Sequence, residues 1–168
     1  MVASPFNPEQ QARFDAELEA ALARFPPERS QAALLPALHA AQRELGWLST
    51  ETLSYVATRL KLWSTRVREV AAFYTLFRLK PVGTNHLQIC TNLSCALLGG
   101  EKLLEQACTR VGARPHEISA DGKFSVEPVS CLASCGTAPA MQVNDRYFDE
   151  KLTPEKLDAI ISELERVG

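Results

Sequence analysis

The sequence lacks several features that would each point to a class of protein. It has no G-x-G-x-x-G turn after a predicted strand, no P-loop, and no serine, histidine and aspartate set typical of a hydrolase. Its lysines and arginines form no basic stripe, and the formal net charge is only -2. We therefore expect no nicotinamide site and no hydrolytic site on the chain itself, and no nucleic-acid partner.

A secretory leader and a long apolar run are also missing. The N-terminus, MVASPFNPEQQ, lacks the basic-then-apolar layout of a signal peptide, and no apolar run is long enough to cross a bilayer. We expect a cytoplasmic protein with no direct membrane insertion. Because that compartment is reducing, paired cysteines are predicted to bind metal or perform redox chemistry instead of forming disulfides.

The first half of the chain, residues 1–80, has the apolar periodicity of a small helical bundle. Asparagine, serine and threonine stand where helices would be capped, and Gly46 stands where the second helix would stop. Aromatic residues occur here at helical spacing, so we predict that they lie in the core. The predicted helix starts are Asn7-Pro8-Glu9, Ser30, Ser49 or Thr50, and Ser64, and the predicted core aromatics are Trp47, Trp63, Phe73, Tyr74 and Phe77.

The pattern changes at Lys80-Pro81-Val82-Gly83, where proline and glycine end the helical half. We place a boundary there between two domains, residues 1–80 and 81–168. His86-Leu87-Gln88-Ile89 then alternates polar and apolar residues, as a half-buried strand does. The order of elements predicts an α+β protein whose second domain is a thioredoxin-like α/β domain with a mixed sheet. The elements are strands near 85–90, Glu117-Ile118 and Phe124–Val129, helices near 100–111 and after Thr153-Pro154, and a hairpin from Met141 to Phe148.

Four of the five cysteines form two pairs at the ends of predicted strands. Cys90 and Cys95 are spaced C-x4-C, and Cys131 and Cys135 are spaced C-x3-C. Loops at the ends of neighbouring strands can bring four sulfurs together. A [2Fe-2S] cluster has two irons that each need two outward thiolates, so two loops with two thiols each match it. Zinc also takes four thiolates, and spacing alone leaves that alternative open.

The other candidate ligands are weaker. No C-x-x-C is present, so a dithiol-disulfide enzyme is not indicated. Cys108 lies on the apolar face of a predicted helix, where packing is its expected role. The histidines, His39, His86 and His116, lack the cysteine spacing of a Rieske centre and are not predicted to be ligands.

Residues around the cysteine pairs suit a shielded cluster. Leucines and an alanine are expected to exclude water, and small residues are expected to let backbone N–H groups approach sulfur. Gly99-Gly100 either relieves backbone crowding or forms a plain turn. The expected water-excluding residues are Leu93, Leu97, Leu98, Leu132 and Ala133, and the small residues are Ser94, Ser134 and Gly136.

Motifs along nearly the whole chain resemble one family. They are SQAALLPALHAAQRELGWL from Ser30, VREVAAFYTLF from Val67, Pro81-Val82-Gly83, Asp121-Gly122-Lys123-Phe124, CLASCGTAP from Cys131, and Leu152-Thr153-Pro154-Glu155. With these motifs the chain resembles the thioredoxin-like [2Fe-2S] ferredoxin subunit, or E subunit, of NADH-quinone oxidoreductase, respiratory complex I.

The resemblance implies one [2Fe-2S] cluster per chain, held by Cys90, Cys95, Cys131 and Cys135. It implies electron exchange with FMN on a flavin-containing, NADH-binding partner subunit, on which the N-terminal helices dock. Other subunits of the hydrophilic arm of complex I are further expected partners, which would hold the chain peripheral to the inner membrane. The diaphorase subunit of a soluble NAD-linked hydrogenase or formate dehydrogenase is the alternative, because the same fold and ligands would serve it.

The second cysteine motif departs from the family's usual pattern. The family commonly has Glu-Cys-Leu-Gly-Ala-Cys where this chain has Ser130-Cys131-Leu132-Ala133-Ser134-Cys135. Loss of the glutamate charge and of the glycine is expected to shift the reduction potential or the loop conformation. Neither change removes a ligand.

Overall fold

The structure, a computed structural model of the chain, describes residues 3–148 and 151–167. Packing divides the chain into two compact units, Met1–Pro81 and Val82–Gly168. Independent folding of the two halves stays a prediction. Within the described residues, no helix combines the length and apolarity that a bilayer-crossing segment requires.

The first unit consists of helices: α1 (Pro8–Leu22), a 3₁₀ helix (Pro27–Ala33), α2 (Leu34–Leu45), α3 (Thr50–Leu60) and α4 (Ser64–Phe73). Asn7 caps α1 in a capping box, since its side chain accepts the Gln10 N–H at 2.9 Å and the Gln10 side chain accepts the Asn7 N–H at 3.1 Å. Gly46 ends α2 at φ +78°, as predicted.

Two predicted helix starts in this unit are wrong. Ser30 lies in the 3₁₀ helix, and α2 begins four residues later at Leu34 with Pro36 in its first turn, where a proline N–H is not needed. Ser64 is the first residue of α4, not its cap. Trp63 holds the cap position and makes no side-chain capping hydrogen bond.

The predicted aromatic core of the first unit is only partly correct. Phe77 is buried and joins a core that includes Phe14 and Leu38. Trp63 is 84% exposed and Phe73 is 78% exposed, so the prediction is wrong for both. Both lie at the ends of α4, outside the face that the helix turns to the core. Of the other two predicted aromatics, Trp47 is half-buried and Tyr74 is exposed.

The second unit is built on a four-stranded mixed sheet in the order β2-β1-β3-β4. The strands are β1 (Asn85–Cys90), β2 (Phe124–Val129), β3 (Met141–Val143) and β4 (Arg146–Phe148). β1 pairs in parallel with β2 and antiparallel with β3, and β3 pairs antiparallel with β4. The helices are α5 (Leu93–Leu97), α6 (Gly100–Val111) and α7 (Pro154–Val167). This arrangement confirms the predicted α+β class.

β1 is more deeply buried than its alternating sequence predicts. His86 is 3% exposed and Gln88 is 9% exposed, so both of its faces are covered. The reason is its central position in the sheet, which sequence alternation does not reveal. Ile118 makes only an isolated bridge to Ser125, so the predicted Glu117-Ile118 strand does not form. α5, only five residues long, was not predicted.

Candidate metal centre

The two cysteine pairs follow neighbouring parallel strands. Cys90 ends β1 and stands in register with Val129, which ends β2. The Thr91 N–H donates to the Val129 carbonyl at 3.0 Å, and the Cys90 N–H donates to the Ala140 carbonyl at 3.1 Å. Because parallel strands end at the same edge, the loops that carry both pairs leave the sheet together.

Cys90 and Cys95 form the inner pair, and each is 3% exposed. Their side chains lie in one hydrophobic cluster with Ala138 and Ala140. Asn92 starts α5 by accepting the Leu93 N–H at 2.7 Å. Cys90 ends β1 and Cys95 lies in α5. The short helix reverses the chain, so that Cys95 lies in the same cluster as Cys90 although five positions separate them in the sequence.

Cys131 and Cys135 form the outer pair, and both are exposed. The Ala133 N–H donates to Cys131 Sγ at 3.2 Å. Ala133 reaches this position at φ +59°, in the left-handed region that favours glycine. The loop has therefore kept a glycine-like conformation at the position where the resembled family commonly has glycine.

The Cys95 thiol lies in an environment that disfavours its negative charge. Burial raises the pKa of the Cys95 thiol, and the side chain of Cys90 and the charge of Cys135 raise it further. A backbone hydrogen bond involving Ala140 opposes this rise. Three of the four predicted ligands thus interact electrostatically, and bound iron would supply the positive charge that stabilises their thiolates.

The number and type of the donors, two thiols on each of two loops, fit the implied cluster. Residues 3–148 and 151–167 contain no group of three or more His, Cys, Asp or Glu side chains placed to hold a metal ion. A [2Fe-2S] cluster needs two thiolates per iron, which suits pairs carried on two loops. The backbone N–H of Ala133 donates a hydrogen bond to sulfur, as is common at iron-sulfur sites. The sequence did not single out this donor, and the role expected of Ser94, Ser134 and Gly136 stays a prediction.

The expected shield of leucines is only partly present within the chain. Leu132 is half-buried and packs against the cluster formed by Cys90, Cys95, Ala138 and Ala140. Leu93, Leu97 and Leu98 are 70%, 78% and 61% exposed, so the prediction that they cover the site is wrong for the chain by itself. The expectation also fails for Ala133, which is exposed.

The two glycines before α6 have different roles. Gly99 adopts φ +95° with open space around it, so it serves the turn. A Cβ on Gly100 would lie 2.7 Å from the Cys90 carbonyl oxygen and 2.9 Å from that of Cys95. Backbone crowding therefore requires glycine at position 100, against the strand end and α5.

The remaining cysteine and the histidines have other partners. Cys108 packs half-buried against the sheet core, as predicted. His86 Nδ1 lies 2.8 Å from Ser125 Oγ, and its Nε2 lies 2.9 Å from Glu127 Oε2. The His39 ring packs against Phe77 in a tilted arrangement, with ring centroids 5.0 Å apart and an interplanar angle of 57°. The buried His86 group was not predicted, because the strand register that assembles it is not visible in the sequence.

His116 is exposed and lies between α6 and β2. Its Nδ1 lies 3.8 Å from Glu127 Oε1, beyond hydrogen-bonding distance. No group of metal-ligating side chains that includes a histidine is found among the described residues. Histidine ligation therefore gains no support from the described residues.

Comparison with known proteins identifies the family. The thioredoxin-like [2Fe-2S] ferredoxin family matches residues 18–165. The E subunit of the Rickettsia bellii (strain RML369-C) NADH-quinone oxidoreductase is 44% identical over 142 residues, covering 84% of each chain. The second E subunit of the Rhizobium meliloti (strain 1021) enzyme is 46% identical over 145 residues, covering 86% of this chain and 84% of that protein.

Solved structures agree on the fold. A chain of an NAD+-reducing [NiFe]-hydrogenase in its H2-reduced state superposes with a TM-score of 0.69 at 24% identity, over 80% of this chain and 22% of that longer chain. This likeness supports the α+β arrangement and carries no functional argument by itself. The match over most of the sequence confirms the resemblance noted from its motifs, and the chain belongs to the thioredoxin-like [2Fe-2S] ferredoxin family.

Proposed function

We propose that this chain is the electron-transfer subunit of an NADH-quinone oxidoreductase. The observation that carries the proposal is the family match over residues 18–165. Relatives with that name are 38–46% identical over most of their length. The chain would be one component of the oxidoreductase and would not oxidise NADH alone.

Cys90, Cys95, Cys131 and Cys135 are the proposed ligands of one [2Fe-2S] cluster, two on each loop. The cluster would carry one electron at a time, whereas NADH gives up two as a hydride. The protein's contribution is to bury the inner pair and to direct the Ala133 N–H at the sulfur of Cys131. Leu132 covers part of the same region.

FMN and NADH are proposed to lie on a flavin-containing partner subunit. A flavin must stand between a hydride donor and a one-electron carrier, and this sequence has no dinucleotide-binding motif. Other hydrophilic-arm subunits of complex I are proposed to complete the assembly. They would place the chain on the cytoplasmic side, peripheral to the inner membrane.

The nature of the metal is tested on the purified full chain. The expected protein is red-brown, contains two irons per chain, and gives an EPR signal after reduction with dithionite. Replacing any one of Cys90, Cys95, Cys131 and Cys135 by alanine should lower the iron content and the visible absorbance. Cys108→Ala is the matched control and should leave both unchanged. A colourless protein with stoichiometric zinc would instead identify a structural zinc module.

The identity of the enzyme is tested by the subunits that copurify. An affinity-tagged chain expressed in its own organism should bring down an FMN-containing NADH-binding subunit together with membrane-bound quinone-reducing subunits. Recovery of a hydrogenase or formate dehydrogenase subunit instead would support the diaphorase alternative. The 38–46% identities to NADH-quinone oxidoreductase subunits favour the first result.

A further inference from the structure

One face of β1 carries polar side chains that are buried. Alternate residues of a strand point to the same face, so His86 and Gln88 share the face of Cys90, the last residue of the strand. In the neighbouring strand, Ser125 stands beside His86 and Glu127 stands beside Gln88. His86, Gln88 and Ser125 are buried. Because buried polar groups are costly unless they are hydrogen-bonded, their partners decide what this face can do.

His86 is held at both of its ring nitrogens. Its Nε2 lies 2.9 Å from Glu127 Oε2, and its Nδ1 lies 2.8 Å from Ser125 Oγ. An ionised carboxylate can only accept, so Nε2 carries a hydrogen and donates it to Glu127. Ser125 Oγ accepts the Gly83 N–H at 3.0 Å, and a hydroxyl oxygen has a second lone pair with which it can accept from Nδ1. The serine hydroxyl can therefore donate to neutral His86 or accept from the protonated ring.

Glu127 links this buried group to the surface. Its side chain is 30% exposed, and its other oxygen, Oε1, lies 3.8 Å from Nδ1 of the exposed His116. Solvent protons can therefore reach the carboxylate and, through it, the buried ring. From the β3–β4 hairpin, the uncharged Asn144 side chain accepts the His86 N–H at 3.0 Å. The same hairpin places the phenol of Tyr147 on this face, in register with a neutral glutamine.

We propose that His86, held by Glu127 and Ser125, takes up a proton when the cluster is reduced, so that electron uptake by this subunit depends on pH. The inference rests on the proposed function, because it takes the four paired cysteines as ligands of a [2Fe-2S] cluster. One electron from the donor enters the cluster, and one proton from solvent binds Nδ1 of His86. The added negative charge at the strand end is balanced by a positive charge on the same face, and no bond between heavy atoms forms or breaks.

The separation along the strand sets the size of this coupling. His86 and Cys90 are four residues apart in β1, which places their Cα atoms about 13 Å apart. At that distance, with an effective dielectric constant of about 20, the interaction of two unit charges corresponds to about a tenfold change in an equilibrium constant. We therefore expect His86 to bind its proton about tenfold more tightly in the reduced protein. Because such coupling is reciprocal, protonation should raise the reduction potential by about 59 mV.

The test measures the midpoint potential of the purified full chain by redox titration followed by EPR, between about pH 5.5 and pH 8.5, where histidine ordinarily changes its charge. The wild-type potential should rise by about 59 mV from the alkaline to the acid end, which corresponds to the tenfold coupling. His86→Gln keeps a hydrogen-bond donor but loses the titrating ring, so its potential should not vary with pH. His39→Gln is the matched control, because it removes a histidine from α2 in the first unit. It should keep the wild-type pH dependence.

A second variant decides the outcome if His86→Gln does not hold iron. Glu127→Gln removes the negative neighbour that stabilises a protonated ring, so the pH dependence should move to lower pH. A pH dependence that either variant leaves unchanged would assign the proton to another group and overturn the inference. A wild-type potential that is constant over the pH range would also overturn it and leave the proposed function standing. Wild-type protein that contains zinc, or that gives no EPR signal after reduction, would overturn both.

Discussion

Ala133 occupies a backbone conformation that alanine rarely adopts. Its φ of +59° places its N–H at Cys131 Sγ, 3.2 Å away. The left-handed region costs a residue with a Cβ roughly 1–2 kcal/mol, and glycine enters it freely. The loop geometry is thus retained at the expense of some stability.

Replacing Ala133 by glycine should stabilise the protein. The relief of strain exceeds the extra chain entropy of an unfolded glycine, so we expect a gain of about 0.5–1 kcal/mol. Thermal unfolding followed by circular dichroism measures it as a higher midpoint. Ala159→Gly, in the exposed middle of α7, is the control and should lose about 1 kcal/mol. A lower midpoint for both variants would show that Ala133 is not strained.

Some features of the helices and strands depend on neighbouring residues in the sequence, and others depend on residues far along the chain. Asn7, Ser49 and Thr153 were predicted as caps because the hydrogen bonds they make are local. The outward face of α5 was missed because five residues are too few for a periodic pattern. Burial of both faces of β1 was missed because it depends on β2, β3 and the helices.

The start of α6 is packed directly against the thiol loops. A Cβ on Gly100 would lie within 3.0 Å of backbone atoms of Cys90 and Cys95, which cannot move aside as side chains do. Gly100→Ala should therefore displace α6 from the inner pair and cost about 1–3 kcal/mol. We expect fewer irons per chain and a lower thermal midpoint. Gly136→Ala, with nothing within 4 Å of its Cβ, should change neither. Full iron content in Gly100→Ala would contradict this account.

At the scale of the whole molecule, the order of elements was sufficient to predict the α+β class with a mixed sheet, whereas the parallel pairing of β1 with β2 came from the structure. That pairing explains why two cysteine pairs, far apart in sequence, leave one edge of the sheet. The spacing of the cysteines could not decide between an iron-sulfur cluster and zinc, since both bind thiolates. Motifs distributed over nearly the whole chain favoured the iron-sulfur cluster. Which leucines face outward depended on the three-dimensional position of α5.

Division of the molecule into two units predicts that the second can hold the metal alone. All four proposed ligands lie in residues 82–168, together with the side chains that pack on the inner pair and a separate hydrophobic core. Residues 82–168 expressed alone should be soluble and red-brown, with the same iron content and EPR signal as the full chain. Residues 1–81 should be helical by circular dichroism and free of iron. An insoluble or iron-free second unit beside an iron-loaded full chain would show that the helical half is needed to form the site, so the two halves would not be independent domains.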